Sequence, residues 1–360
     1  KRMDLNKMKK ENIADMERKN NMYSLIEMLR YMRPEGSTTQ TDFCERFLQP
    51  MFGLPDRHGN YILTVLKPDN TQPNLCFTSH HDTVHSIEGM QKVVVKNNIV
   101  SLDQADSSCL GADCTTGVWI MLNMIESDIP GVYVIHAGEE VGCKGSSALV
   151  KDQPYWLDST DAVISFDRRE DNSIVTHQMG MRTASDEFAQ SFSDALDLPQ
   201  LLADSGGSYT DSNEYSGVVS ECTNISVGYR GQHSQRETQD LDFLDVLMAR
   251  LIAADWSKLV FKRDCTEVEY DRSWLSYGSG YHHGHTYDER SSTNPDNIKH
   301  LLEIIEDYPK ELSELLNTYG FDAEEILGEI FEYEDEYCSY NESYGVNSHQ
   351  VTKYIQRKGL

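Results

Sequence analysis

Short apolar runs alternate along the chain with longer segments whose apolar residues recur every three or four positions. GNYILTVL, NLCFTSH, GVYVIHA, DAVISFD and NISVGY are short, β-rich and bounded by turn residues, which predicts buried strands. TTGVWIMLNMIES and LDFLDVLMARLIAADW carry helical spacing instead. So do residues about 10–32, where Met22, Leu25, Ile26, Met28 and Leu29 supply the apolar face and Pro34 and Gly36 end it. Strands alternating with helices predict an α/β fold: a three-layer αβα sandwich with a mostly parallel central sheet and helices on both faces. Beyond about Asp271 the pattern changes. RSWLSYGSGYHHGHTYDERSSTNPD reads as a loop, and two acidic helices are predicted over roughly 296–318 and 322–338. The expected division is therefore residues 1–271 as the α/β domain and 272–360 as a loop and acidic helical extension.

Composition narrows the partners. The 360 residues carry 59 acidic against 32 basic side chains, a formal net charge of −27. Such a chain repels nucleic-acid phosphate and anionic lipid, so neither is an expected partner. Eight cysteines without a CxxC pair point to free thiols in a reducing compartment. The charged start, KRMDLNKMKKENIADMERKN, lacks the apolar core of a secretory signal. No stretch approaches the ~18 unbroken apolar residues of a membrane helix. A cytoplasmic location is expected.

The chemistry lies at the strand ends. NLCFTS runs into His80 and Asp82, GVYVIHAG into Glu139 and Glu140, DAVISF into Asp167, and NISVGYRGQ into His233. Asp113, in LGADCTTG, stands where a helix begins. In open α/β sheets the C-terminal strand ends converge on one crevice. Two histidines and several carboxylates suit a pair of divalent ions, zinc first. Two such ions ~3.5–4 Å apart need a bridging carboxylate and separate outer ligands, with a further carboxylate to take a proton from water.

These motifs resemble the co-catalytic zinc peptidases of the M20/M28/M42 clan. HHDTV is similar to their HxDxV motif, GADCTTG to their GADD-type motif and GEEVG to their paired glutamates. FDRRE is similar to their later aspartate, and YRGQHSQRE to the segment bearing the final histidine. The order matches over roughly residues 20–255. The resemblance implies a phosphorylase/hydrolase-like fold and two Zn²⁺, or other divalent ions such as Mn²⁺ or Co²⁺. It implies that His80, Asp113 and Asp167 hold one ion and Asp113, Glu140 and His233 the other. It also implies that Asp82 orients His80 and that Glu139 is the general base. The implied substrate is a small peptide or an acylated amino acid, with aminopeptidase chemistry favoured because the interval from Asp167 to His233 is too short for an inserted domain. Homo-oligomerisation is left open.

Two features depart from the pattern or lie beside it. Cys114 stands where the family often has a second aspartate, and packing is the favoured reading. His177, Asp211, Tyr229 and Arg230 are further candidates for the substrate pocket, Asp211 through a loop, ADSGGSYTDSNEYSG, that resembles one preceding the last strand in M28 and M42 enzymes. His81 and His85 are read as loop residues, His136 as a core histidine, and HHGH at 282–285 as a solvated loop. Two rival functions stay in view: acyl transfer of the glutaminyl-cyclase type on one zinc, and a non-catalytic binding protein that keeps the fold.

Overall fold

The computed structural model describes residues 24–67, 72–103, 107–267 and Lys310. Apart from Lys310, the acidic helices expected after 295 lie outside the described residues, as do the HHGH stretch and residues 10–23 of the first expected helix.

Seven strands form the central sheet. In chain order they are β1 (Tyr61–Val65), β2 (Leu75–His80), β3 (Gly131–His136), β4 (Ala162–Arg168), β5 (Ser173–Val175), β6 (Leu202–Asp204) and β7 (Glu221–Ser226). Across the sheet they run β6-β5-β7-β4-β2-β3-β1. The inner four, β7, β4, β2 and β3, are mutually parallel. Strand β1 pairs antiparallel to β3 at one edge, and β5 pairs antiparallel to β7 toward the other. The sheet is therefore mixed at its margins and parallel at its centre.

Alternation along the inner strands loads both faces. Leu75, Phe77, Tyr133, Ile135, Ile164 and Phe166 enter one apolar cluster, while Cys76, Val134, Val163 and Cys222 enter a second. Helices α1 (Ala112–Glu126), α3 (Asp186–Leu196) and α4 (Leu241–Ala253) bury their apolar stripes in the first. Helix α2 (Lys144–Asp152) contributes Leu149 to the second. Three layers result, as the pattern of runs predicts. Among the described residues, no helix is long and apolar enough to cross a membrane.

The helix expected to reach residue 32 stops early. Helical turns cover 24–28, and Tyr31–Met32 instead pairs antiparallel with Gly89–Met90. Gln91 explains the change, because its amide nitrogen donates to Leu29 O at 2.6 Å and its backbone N–H to Arg30 O at 2.7 Å. Carbonyls that would continue the helix are taken by a residue 60 positions away in sequence. A second sheet, which the sequence reading did not anticipate, joins Val93–Lys96, Ile99–Leu102, Thr238–Asp240 and Tyr229–Arg230 in antiparallel pairs. It supports the loop that carries His233.

Candidate metal centre

The parallel register delivers the ligand candidates to one rim. Thr78 stands beside Ser165 and His80 beside His136, so His80 at the end of β2 and Asp167 near the end of β4 leave the sheet at the same level. A register shift in β7 between Asn224 and Ser226 lets the Asn224 side chain accept from Asp167 N–H at 3.0 Å. Asp167 Oδ2 also accepts from Thr210 Oγ1 at 2.9 Å, and its carbonyl from the Tyr229 hydroxyl at 3.0 Å.

Six side chains converge above this rim. His80 Nε2 lies 3.8 Å from Asp167 Oδ1 and 3.9 Å from Glu139 Oε2. His233 Nε2 lies 3.0 Å from Asp113 Oδ2 and 3.4 Å from Glu140 Oε1. Three groups hold their ligand atoms within 4.8 Å of one another: His80 with Asp113 and Cys114, His80 with Glu139 and Glu140, and Asp113 with Glu140 and His233. Asp82 binds the parts together. Its two carboxylate oxygens accept the N–H groups of Glu139 and Glu140 at 3.1 and 3.0 Å, and Oδ1 stands 3.3 Å from His80 Nδ1.

The electrostatics of the cluster suit a cation. Burial pushes Glu139 well above the usual carboxylate range, and Asp167, Glu140 and Asp211 reinforce it against His80. Burial raises Glu140 to about 7, with Asp113 adding to the push. For Asp113 burial is overcome by the His233 hydrogen bond and the His80 charge, which hold it below the ordinary value. His233 is raised to about 11, since Asp113 and Glu140 outweigh its burial. Protons on these groups occupy places a divalent ion would take. The donors are nitrogen and carboxylate oxygen, which suits zinc or another borderline divalent ion, and Glu140 Oε1 is buried without a hydrogen-bond partner.

Cys114 is fully buried. Its thiol donates to Asp82 O and accepts from Arg33 Nη2, both at 3.1 Å, and burial pushes it well up. Arg33 was not anticipated. Its guanidinium has no exposure, donates to His81 O at 2.9 Å and Thr115 Oγ1 at 2.8 Å, and lies 3.9 Å over the Phe43 ring. It therefore ties the His80 loop to the start of α1. The pocket candidates fall in varied places. Asp211 is buried against Ser146 Oγ at 2.6 Å and burial raises it to about 8. Tyr229 is buried behind Asp167, and Arg230 pairs with Glu170 and Asp171 at 2.8 and 2.7 Å. His177 is buried in a hairpin with Gln178, Met181 and Arg182, 3.0 Å from Thr176 Oγ1.

Residues 60–213 match the model of peptidase family M28. Over that stretch the chain is similar to the M28 metallopeptidases. Solved structures agree in fold. A tripeptidase from Staphylococcus aureus superposes with a TM-score of 0.56 at 16% identity, covering 67% of this chain and 98% of that one. Aminopeptidase PepT from Bacillus cereus gives 0.53 at 14%, with the same two coverages of 67% and 98%. No curated protein matches in sequence. The family model ends before His233, which joins the cluster by its sequence motif and by its distances to Asp113 and Glu140.

Three further histidines have structural surroundings. His136 is fully buried between Asn60 Oδ1 at 3.2 Å and the Tyr215 hydroxyl at 3.1 Å. His81 and His85, read from the sequence as loop residues, are buried too. His81 stands 3.0 Å from Gln40 Nε2, and His85 stands 2.7 Å from Thr83 Oγ1.

Proposed function

We propose that this protein is a two-metal exopeptidase, with an aminopeptidase reaction on small peptides as the specific reading. The observation that carries it is the convergence of His80, Asp113, Glu139, Glu140, Asp167 and His233 on one partly buried rim in a core similar to M28 peptidases. His80, Asp113 and Asp167 would hold one zinc ion and Asp113, Glu140 and His233 the other, Asp113 serving both. Bound there, the ions supply Lewis acidity for the scissile carbonyl and make water more acidic.

The chain's own residues do the rest. Glu139, whose carboxyl is biased toward holding a proton by burial and neighbouring acids, takes one from the attacking water and passes it to the leaving amine. Asp82 fixes the orientation of His80 and the backbone course of 139–140, which keeps base and ligand side by side. Thr210 and Asn224 hold Asp167 from behind. Asp113 belongs to two of the three ligand groups, one with His80 and one with His233, which supports two ions over the single zinc of a cyclase.

The test is a panel of tripeptides with free and acetylated amino ends, assayed with zinc and after chelation. Release of the first residue from free-amine peptides alone, abolished by chelation, is expected. Release of the last residue would replace the aminopeptidase reading with a carboxypeptidase one. No hydrolysis of any peptide by the zinc-saturated protein would refute both.

A further inference from the structure

Glu237, the last residue of the YRGQHSQRE segment, is not a ligand candidate, yet it joins two of the ligand motifs. Helix α1 opens at Gly111, whose φ of 69° is left-handed and which has no side chain to cap the first turn. The orphan N–H groups find a partner far along the chain. Leu110, Gly111 and Ala112 donate to the Glu237 carboxylate at 2.8, 3.0 and 3.1 Å, and Glu237 is buried, at 1% exposure. A negative charge is favoured at that end of a helix. Asp113, the bridging candidate, is the very next residue.

The other end of the connection carries His233. Tyr229–Arg230 and Thr238–Asp240 pair as a hairpin, and His233 sits in the loop between them with φ 56°. That loop is closed on itself. Glu237 N–H donates to Ser234 O at 3.0 Å and Ser234 Oγ to Gly231 O at 2.6 Å. A Cβ on Gly231, where φ is 74°, would lie 2.8 Å from Arg236 O. Glu237 thus connects a folded loop bearing His233 to the turn bearing Asp113, whose carboxylate meets His233 Nε2 at 3.0 Å.

We propose that Glu237 is a positioning residue that keeps His233 and Asp113 in register for one ion of the pair; this rests on the two-metal reading above. An ordinary helix cap would stabilise α1 without favouring either ion. A positioning residue acts most on the ion held by Asp113, Glu140 and His233, where it sets two ligands, and less on the His80 and Asp167 side, which it reaches through Asp113 alone.

Glu237→Gln keeps the side chain's volume but turns an N–H donor toward backbone donors. Zinc affinities of wild type and variant are read by competition with a chromophoric chelator, beside thermal unfolding. The expected result is one ion weakened by about 10- to 100-fold, the usual effect of removing a partner behind a metal ligand, with the other weakened clearly less. Two unchanged ions, or two weakened alike, would overturn the proposal. Should E237Q not fold, Glu237→Asp, one methylene short of its donors, is read the same way. Wild type holding fewer than two ions would remove the two-metal reading itself. The connection is then judged on metal-free protein by amide exchange at 110–112, and exchange no faster in E237Q than in wild type overturns it.

Discussion

Gly117 offers a sharp test of how the fold positions the centre. It lies inside α1, where alanine is ordinarily better by about 1 kcal/mol. Here α1 crosses the sheet so closely that a Cβ on Gly117 would stand 2.0 Å from Phe166 O and 2.5 Å from Ser79 Oγ. Ordinary contact begins at 3.4 Å, so helix and strand must part by about 1.4 Å, the difference of those two figures. One of the blocking atoms is backbone and cannot rotate aside. Overpacking of this kind costs about 3 kcal/mol at the upper end of its usual range, against the gain of about 1 kcal/mol in helix propensity. Gly117→Ala is therefore expected to lose about 2 kcal/mol, a fall in Tm of roughly 4–8 °C for a domain this size. Ser79 Oγ also donates to Cys114 O at 3.1 Å, so displacement of α1 reaches the turn that holds Asp113. Thermal and urea unfolding of metal-free protein measure the first effect, and zinc affinity the second. A variant as stable as wild type, or more so, would refute the close approach and the positioning drawn from it.

Other perturbations separate the parts of the site. Glu139→Gln should lower kcat by about 10²- to 10⁴-fold while zinc content, measured by mass spectrometry, stays at the wild-type value; unchanged turnover would remove Glu139 as base. Asp82→Asn places an amide against the N–H groups of Glu139 and Glu140, so zinc affinity should fall about 10- to 100-fold by competition titration. Burial lowers His85 to about 4, so it is neutral when folded and takes up a proton on unfolding below pH 6.5. Stability from this group is full above 6.5 and is lost as pH falls toward 4, by about 1.4 kcal/mol per unit and about 3 kcal/mol in all. Urea unfolding of metal-free protein should show that extra loss in wild type relative to His85→Gln, and parallel pH profiles would contradict it.

The parallel core was legible from its short apolar runs, and two of the inner strands also run into a ligand candidate. Leu75–His80 and Ala162–Arg168 announce both their element and their chemistry. What escaped depends on distant partners. The second sheet joins residues near 100 to residues near 238, and Gln91 turns a helical pattern at 29–32 into a strand pair. Arg33 and Glu237 carry no periodic signal. Gly111 did hold a clue, since a helix opening on glycine has no cap of its own and must borrow one. Tyr229 and Arg230 matched a strand ending, but the strand stops at Ser226 and turns at Gly228, so one lies behind Asp167 and the other pairs with acids outside.

Metal stoichiometry tests the central claim most directly. Wild type and His233→Ala, saturated with zinc and dialysed, would be weighed by native mass spectrometry. The account predicts two tightly held ions in wild type and one in the variant. One ion in both, or none in wild type, would contradict it.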